Sequence, residues 1–228
     1  MNQPYYRIWR PGAGTDFCLD RRNAKNILDL CAGYAEIENQ LRRKLTKRTN
    51  AIDAPDRALL RLHKQCIFEV QQNTFDICRA NSVKVNPRMA RDDLQFLIKH
   101  LKLSDFSVCV KLYDEAHTLI PFCPESLDEW YLEGLHVLFN RSVDYTHVTL
   151  YNCLLSAAAV RILLFAQFGD VPDRLIEGNS KHAGSGFYQR SSIFQIVPPD
   201  WSEEESYNFS WDELKTKRDP FIAFPFSG

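Results

Sequence analysis

From Val148 to Phe168 the chain runs for 21 residues with a single charged side chain, Arg161. A helix that is apolar on every face has to be surrounded, either by protein or by lipid. The length suits a bilayer, which takes about 20 apolar residues. The chemistry does not. Arg161 lies past the middle of the segment, where an arginine costs roughly 2.5–3.5 kcal/mol to insert. Asn152, Ser156 and Gln167 add polar groups, and no basic cluster flanks the stretch. The expectation is a buried central helix over about 144–168, opened by Asp144 and closed at Gly169, a residue suited to a helix C-terminal position. Ser156-Ala157-Ala158-Ala159 leaves room for a neighbouring helix to approach closely. The rest of the chain must form the sheath.

That sheath reads as mainly helical. A first helix over about 21–47 follows Asp20, with Ala24, Ile27, Cys31, Tyr34, Leu41 and Leu45 at three-four spacing and Glu38 as the one polar interruption. A second starts at Pro55, a residue suited to a first helical position, and runs to about Ala80 with Leu59, Leu62, Cys66, Val70 and Ile77 on its apolar stripe. The short polar link between them predicts an antiparallel hairpin. Asn86-Pro87 opens a third helix, about 87–102. A fourth is expected over about 105–119, where Phe106, Cys109, Tyr113, Ala116 and Ile120 keep helical spacing. The β-branched stretch Val108-Cys109-Val110 keeps a strand open as the alternative. Ser126-Leu-Asp-Glu129 is a capping box that starts a fifth helix, to about Asn140.

After Gly169 the texture changes. One helical turn is expected at 172–177, a loop at 178–186, a strand at 192–197 stopped by Pro198-Pro199, and a short helix at 210–217. An apolar strip at 221–226 should dock on the body. The fold class is thus mainly α. An irregular bundle of about six helices (21–169) is flanked by an extended N-terminal arm (1–20) and an extended, aromatic-rich C-terminal segment (170–228) docked on the bundle.

Charge is divided along the chain. Residues 1–111 carry 20 Lys and Arg against 12 Asp and Glu, and residues 112–228 carry 8 against 17, so a total of −1 hides a basic half and an acidic half. Such asymmetry points to a charged partner or to one half packing on the other. Seven cysteines stand at irregular spacings without a C-x-x-C pair. They read as small core hydrophobes in a reducing compartment. The opening residues hold no apolar signal core, so a cytoplasmic or nuclear location is expected.

Catalytic patterns are absent. Lys181, His182, Gly184, Ser185 and Gly186 combine a cation, glycines and a hydroxyl. The Walker spacing is missing, and the loop precedes an expected strand rather than opening a helix. It reads as a surface loop. His63 and Cys66 lie three apart on one helix face, but thiol catalysis needs an accessible thiol and an orienting third group, and Cys66 sits on the buried stripe. His117 and Cys123 are separated by Pro121. The six histidines never stand at i, i+4, so no metal site and no cofactor are expected.

Two surfaces remain. Arg42, Arg43, Lys44, Lys47 and Arg48 are five cations in seven residues, and Arg57, Arg61 and Lys64 follow on the next helix. Helix pairing places them at one end of the hairpin, where they suit either phosphates, with steep salt dependence, or an acidic segment such as Glu203-Glu204-Glu205. Trp201, Tyr207, Phe209 and Trp211 sit among acids and read as a docking patch. The leading expectation is a non-enzymatic intracellular adaptor or subunit of a multiprotein complex, binding protein partners through these two surfaces. An RNA- or DNA-associated protein using the basic end is the runner-up. An enzyme whose site is assembled from distant residues is the third reading.

Overall fold

The computed structural model describes residues 4–13, 21–46, 52–85, 90–112, 115–139, 145–169, 193–219 and 221–222. The expected turn at 172–177, the loop at 178–186 and most of the strip at 221–226 lie outside them. The elements run in the order α1 (Arg21–Leu45), α2 (Leu60–Ala80), α3 (Ala90–His100), β1 (Ser107–Leu112), β2 (Glu115–Leu119), α4 (Pro124–Leu127), α5 (Glu133–Phe139), α6 (Leu150–Phe168), β3 (Phe194–Val197) and α7 (Trp211–Lys215). A π-helical segment, Asp128–Leu132, joins α4 to α5. The fold is mainly α, an irregular helical bundle with one small sheet.

α6 is the centre. By length and composition it would pass for a membrane span, yet 17 of its 19 residues are buried against protein. α2 lies parallel to it: Leu59 meets Cys153, His63 meets Ser156, and Asn73 meets Gln167. Ala157, Ala158 and Ala159 are fully buried. α1 runs antiparallel to α2, with Gln40 Nε2 donating to Gln65 Oε1 at 3.5 Å and Asp29 and Gly33 farther along, beside Glu69 and Asp76.

Polar side chains of α6 are served from other elements, as buried polar groups must be. Gln167 Nε2 donates to Asn73 Oδ1 at 2.8 Å and to the Leu163 carbonyl at 2.9 Å, while its Oε1 accepts from Arg7 Nε at 2.8 Å. The Arg161 guanidinium lies over the Tyr34 ring, 5.6 Å from its centroid, a geometry in which the ring quadrupole attracts the cation. Glu38, the polar interruption of the first stripe, is buried and accepts the Ile193 N–H at 3.2 Å. It ties the entry of β3 to α1.

The expected fourth helix is corrected. Ser107–Leu112 and Glu115–Leu119 form the antiparallel pair β1–β2, and β3 adds to the other edge of β1, giving the order β2-β1-β3. Period-two burial decides the matter: Val108 and Val110 are buried on the core face, with Leu119 and Phe194 beside them, while Cys109 turns to the other face opposite Thr118 and Gln195. Helix starts also move. Pro55 does not open α2; it pairs in an isolated bridge with Thr149, and Asp56 caps a 3-10 turn, Arg57–Leu59, that feeds α2. Thr149 caps α6 by accepting the Asn152 N–H at 3.0 Å, so the helix begins later than Asp144. The Asp144 and Asn86 starts fall outside the described residues.

Two helical glycines give opposite expectations. A Cβ at Gly134 would stand 2.4 Å from Ile67 Cδ1 and 3.2 Å from His63 Nε2, whereas one at Gly33 meets nothing within 4 Å. Gly134→Val should cost about 2–3 kcal/mol through overpacking, and Gly33→Ala should stabilise by about 1 kcal/mol through helix propensity. Urea unfolding of both variants checks the pair.

Candidate docking surfaces

The basic residues converge as the hairpin requires. Arg42, Arg43 and Lys44 end α1, where cations complement the negative end of the helix dipole. Arg57, Arg61 and Lys64 begin the neighbouring element, and the first turn of α2 holds no acid. Asp56 caps that end by accepting the Ala58 N–H at 2.7 Å, and beyond it the three cations add to the positive end of the dipole rather than relieve a negative one. Arg43 pairs with Glu36 at 3.3 Å. Arg42, Lys44, Arg57, Arg61 and Lys64 make no ion pair among the described residues. Lys47 and Arg48 lie outside those residues.

The acidic segment sits at the opposite pole. Trp9 N–H donates to the Ala166 carbonyl at 2.9 Å, at the end of α6, and Arg10 next to it donates to the Glu205 carbonyl at 3.0 Å. The Glu205 carboxylate holds Lys102 at 2.6 Å, and that hydrogen bond keeps its pKa low, at about 2. α6 spans about 28 Å at 1.5 Å per residue, and the basic end lies at its start. Glu203–Glu205 therefore do not neutralise Arg42 to Lys64 within one chain.

The aromatic residues of the tail are mostly engaged with the arm. Tyr207 is buried; its hydroxyl donates to the Ile8 carbonyl at 2.7 Å and accepts the Tyr5 N–H at 3.2 Å, and its own N–H donates to the Pro11 carbonyl at 2.8 Å. Gly12, at φ +83°, lets the arm pass there, since a Cβ would stand 2.0 Å from the Tyr207 carbonyl oxygen. Trp201 is flanked by Arg10 and Lys102, at 5.7 and 5.3 Å from its ring centroid. Phe209 tilts against Tyr207 with centroids 5.3 Å apart. Trp211 opens α7. Glu203, Glu204, Asp212 and Glu213 are among the exposed residues of this segment.

The sequence pair His63 and Cys66 does meet a third group, Ser156, which lies 3.4 Å from His63 Nδ1 and hydrogen-bonds the Cys66 thiol. Burial determines what the trio can do. It pushes His63 down to about 4 and the Cys66 thiol up to about 12, so at neutral pH the imidazole is uncharged and the thiol protonated. Neither nucleophile nor acid is available there. His117 instead faces Glu115 on β2, at 3.8 Å, and Cys123 contacts Ser126. Gly184 and its loop lie outside the described residues. Among the described residues no group of three His, Cys, Asp or Glu is arranged to hold a metal.

A cleft of about 400 Å³, which no motif announces, opens between α1 and α2, lined by Arg7, Asn26, Asp29, Leu30, Gly33, Glu69 and Asp76. Arg7 pairs with Asp76 at 3.2 Å. Burial, and then the Asp76 charge, raise the Glu69 carboxyl. These acids are far apart in sequence, and only helix pairing brings them together. No protein-family model, curated protein or solved structure matches the chain.

Two measurements follow from these contacts. Tyr207→Phe removes the hydroxyl that joins Ile8 to Tyr5 and should cost about 1–2 kcal/mol in urea unfolding. His63 binds its proton less readily folded than unfolded, so the unfolded state takes up the proton first as pH falls. Stability is full above about pH 6.5 and declines toward pH 4, by roughly 3 kcal/mol for this one group. His63→Gln should flatten that decline when unfolding curves at pH 7 and pH 4 are compared; equal declines would show that burial does not control the group.

Proposed function

We propose that this chain is a non-enzymatic adaptor or complex subunit that docks an acidic partner on the basic end of the α1–α2 hairpin. One observation carries the reading: five cations at that end are without ion pairs among the described residues, and the chain's own acidic segment sits at the far pole of α6. Cations concentrated at a pole and left without internal partners steer an oppositely charged surface in association. The exposed acids Glu203, Glu204, Asp212 and Glu213 form a second surface for a basic partner, while Tyr207 and Trp201 act in holding the arm. The inert state of His63 and Cys66 supports a role in binding over one in thiol chemistry. Free thiols at Cys31, Cys66, Cys78, Cys109, Cys123 and Cys153 support a cytoplasmic or nuclear setting. Nucleic acid is the second reading, because the same unpaired cations suit phosphates.

Native mass of the protein recovered from its own cells tests this. A species heavier than the chain is expected, dissociating as salt rises, and reduced to single-chain mass when Arg42, Arg61 and Lys64 are changed to Glu. A wild-type protein recovered alone at single-chain mass would sink the reading.

A further inference from the structure

Phe68 is among the few large apolar side chains left exposed, at 48%. A lone exposed phenylalanine is ordinary on a protein surface. Its position is what matters here. At 100° per residue, positions 61, 64 and 68 of α2 fall within about 60° of one another, one helical neighbour above the next. Arg61, Lys64 and Phe68 thus form a single outward stripe of about 10 Å, and Arg57 lies on the approach to it. Beside the stripe, the Gln40–Gln65 hydrogen bond joins α2 to α1, so Arg43 and Lys44 on the last turns of α1 border the same surface.

From this arrangement we infer that the basic end receives an acidic protein segment carrying one aromatic or aliphatic anchor, with the anchor on Phe68 and its flanking carboxylates on Arg61, Lys64 and Lys44. The inference rests on the docking role proposed above and adds the chemistry of the partner. Exposed ion pairs are weak one by one and screened by salt, so charge brings the partner in without fixing its register. An apolar contact at the centre, ringed by charges, does fix it. Charge complementarity selects a short acidic segment over a polyanion. The whole chain is −1, and carboxylates border the basic patch, Glu36 on Arg43, Asp56 at the entry to α2 and Glu69 in the cleft, so a long strand would run from the cations onto surface of its own sign. Single-strand binders also stack successive bases on successive aromatics, whereas Phe68 is the one exposed large hydrophobic residue on this stripe among the described residues.

The test uses the full chain and three fluorescent probes: a synthetic peptide of glutamates around one phenylalanine, the same peptide with serine in place of that phenylalanine, and an oligouridylate. Anisotropy is read against salt for the wild type, Phe68→Ser and the double variant Arg61→Gln, Lys64→Gln, with circular dichroism confirming that each variant is folded. The first peptide should bind. Loss of either phenylalanine should weaken it about tenfold without changing the salt slope, and losing both should cost little more than losing one. The double variant should flatten the salt slope. Acidic-peptide binding indifferent to Phe68 overturns this inference and leaves basic-end docking standing. Tighter binding of the oligouridylate overturns it in favour of nucleic acid. A sedimentation mass showing that a second copy of the chain covers the stripe overturns it as well. Failure of all three probes to bind overturns both this inference and the reading on which it rests.

Discussion

The fold depends on burying α6 from all sides. Burial on that scale leaves its few polar side chains without water, and each must find a partner at a fixed place. Gln167 is met by Asn73 from α2 and by Arg7 from the arm, Ser156 by His63, and Arg161 by the ring of Tyr34 on α1. The hydrogen bonds among them fix the rotation and height of α2 and of the arm against α6. Apolar packing alone would tolerate small slips; a donor and acceptor that must meet near 3 Å do not. Arg7 pairs with Asp76 while holding Gln167, so the arm belongs to the same network.

The placement of charge follows from that geometry. Parallel α2 and α6, with antiparallel α1, bring the basic turns of two helices to one pole. The arm leaves the other pole, and the tail follows it because Tyr207, Arg10 and Lys102 hold it there. The two charged halves of the sequence therefore cancel only in part, through pairs such as Lys102–Glu205 and Arg91–Asp128, and not at the basic pole. The basic pole stays open to something else, which is the basis for reading the chain as a binding protein. The residues most suggestive of reactive chemistry, His63 and Cys66, are instead at the centre of the helix contact, where burial holds both in uncharged forms.

The long helices were legible because their apolar spacing persists over many turns, and local periodicity carries that information. Residues 105–119 were not. Phe106, Cys109, Tyr113 and Ala116 fit a helical period, while Val108 and Val110 fit an alternating one, and a segment this short satisfies both. The sheet prevails because β3, some 85 residues later, pairs with the free edge of β1, and no local window contains that strand. The tail's contacts lay beyond any local window for a similar reason: the groups that engage Tyr207 and Trp201 come from residues 5–11 and from Lys102.

What the amino-acid order determined by itself is that the long segments around 21–45 and 60–80 are helical, that 148–168 must be enclosed, and that cations gather at the turn between the first two helices. Each depends on neighbours within a few residues, where propensity and spacing act directly. Tertiary structure alone decided that Glu38 serves a strand entry, that the acids lie at the far end of the central helix from the cations, and that Asp29, Glu69 and Asp76 line one cleft with Arg7. Those outcomes require partners tens to hundreds of residues apart, and they follow from satisfying buried polar groups at fixed distances, a condition that no stretch of sequence states for itself.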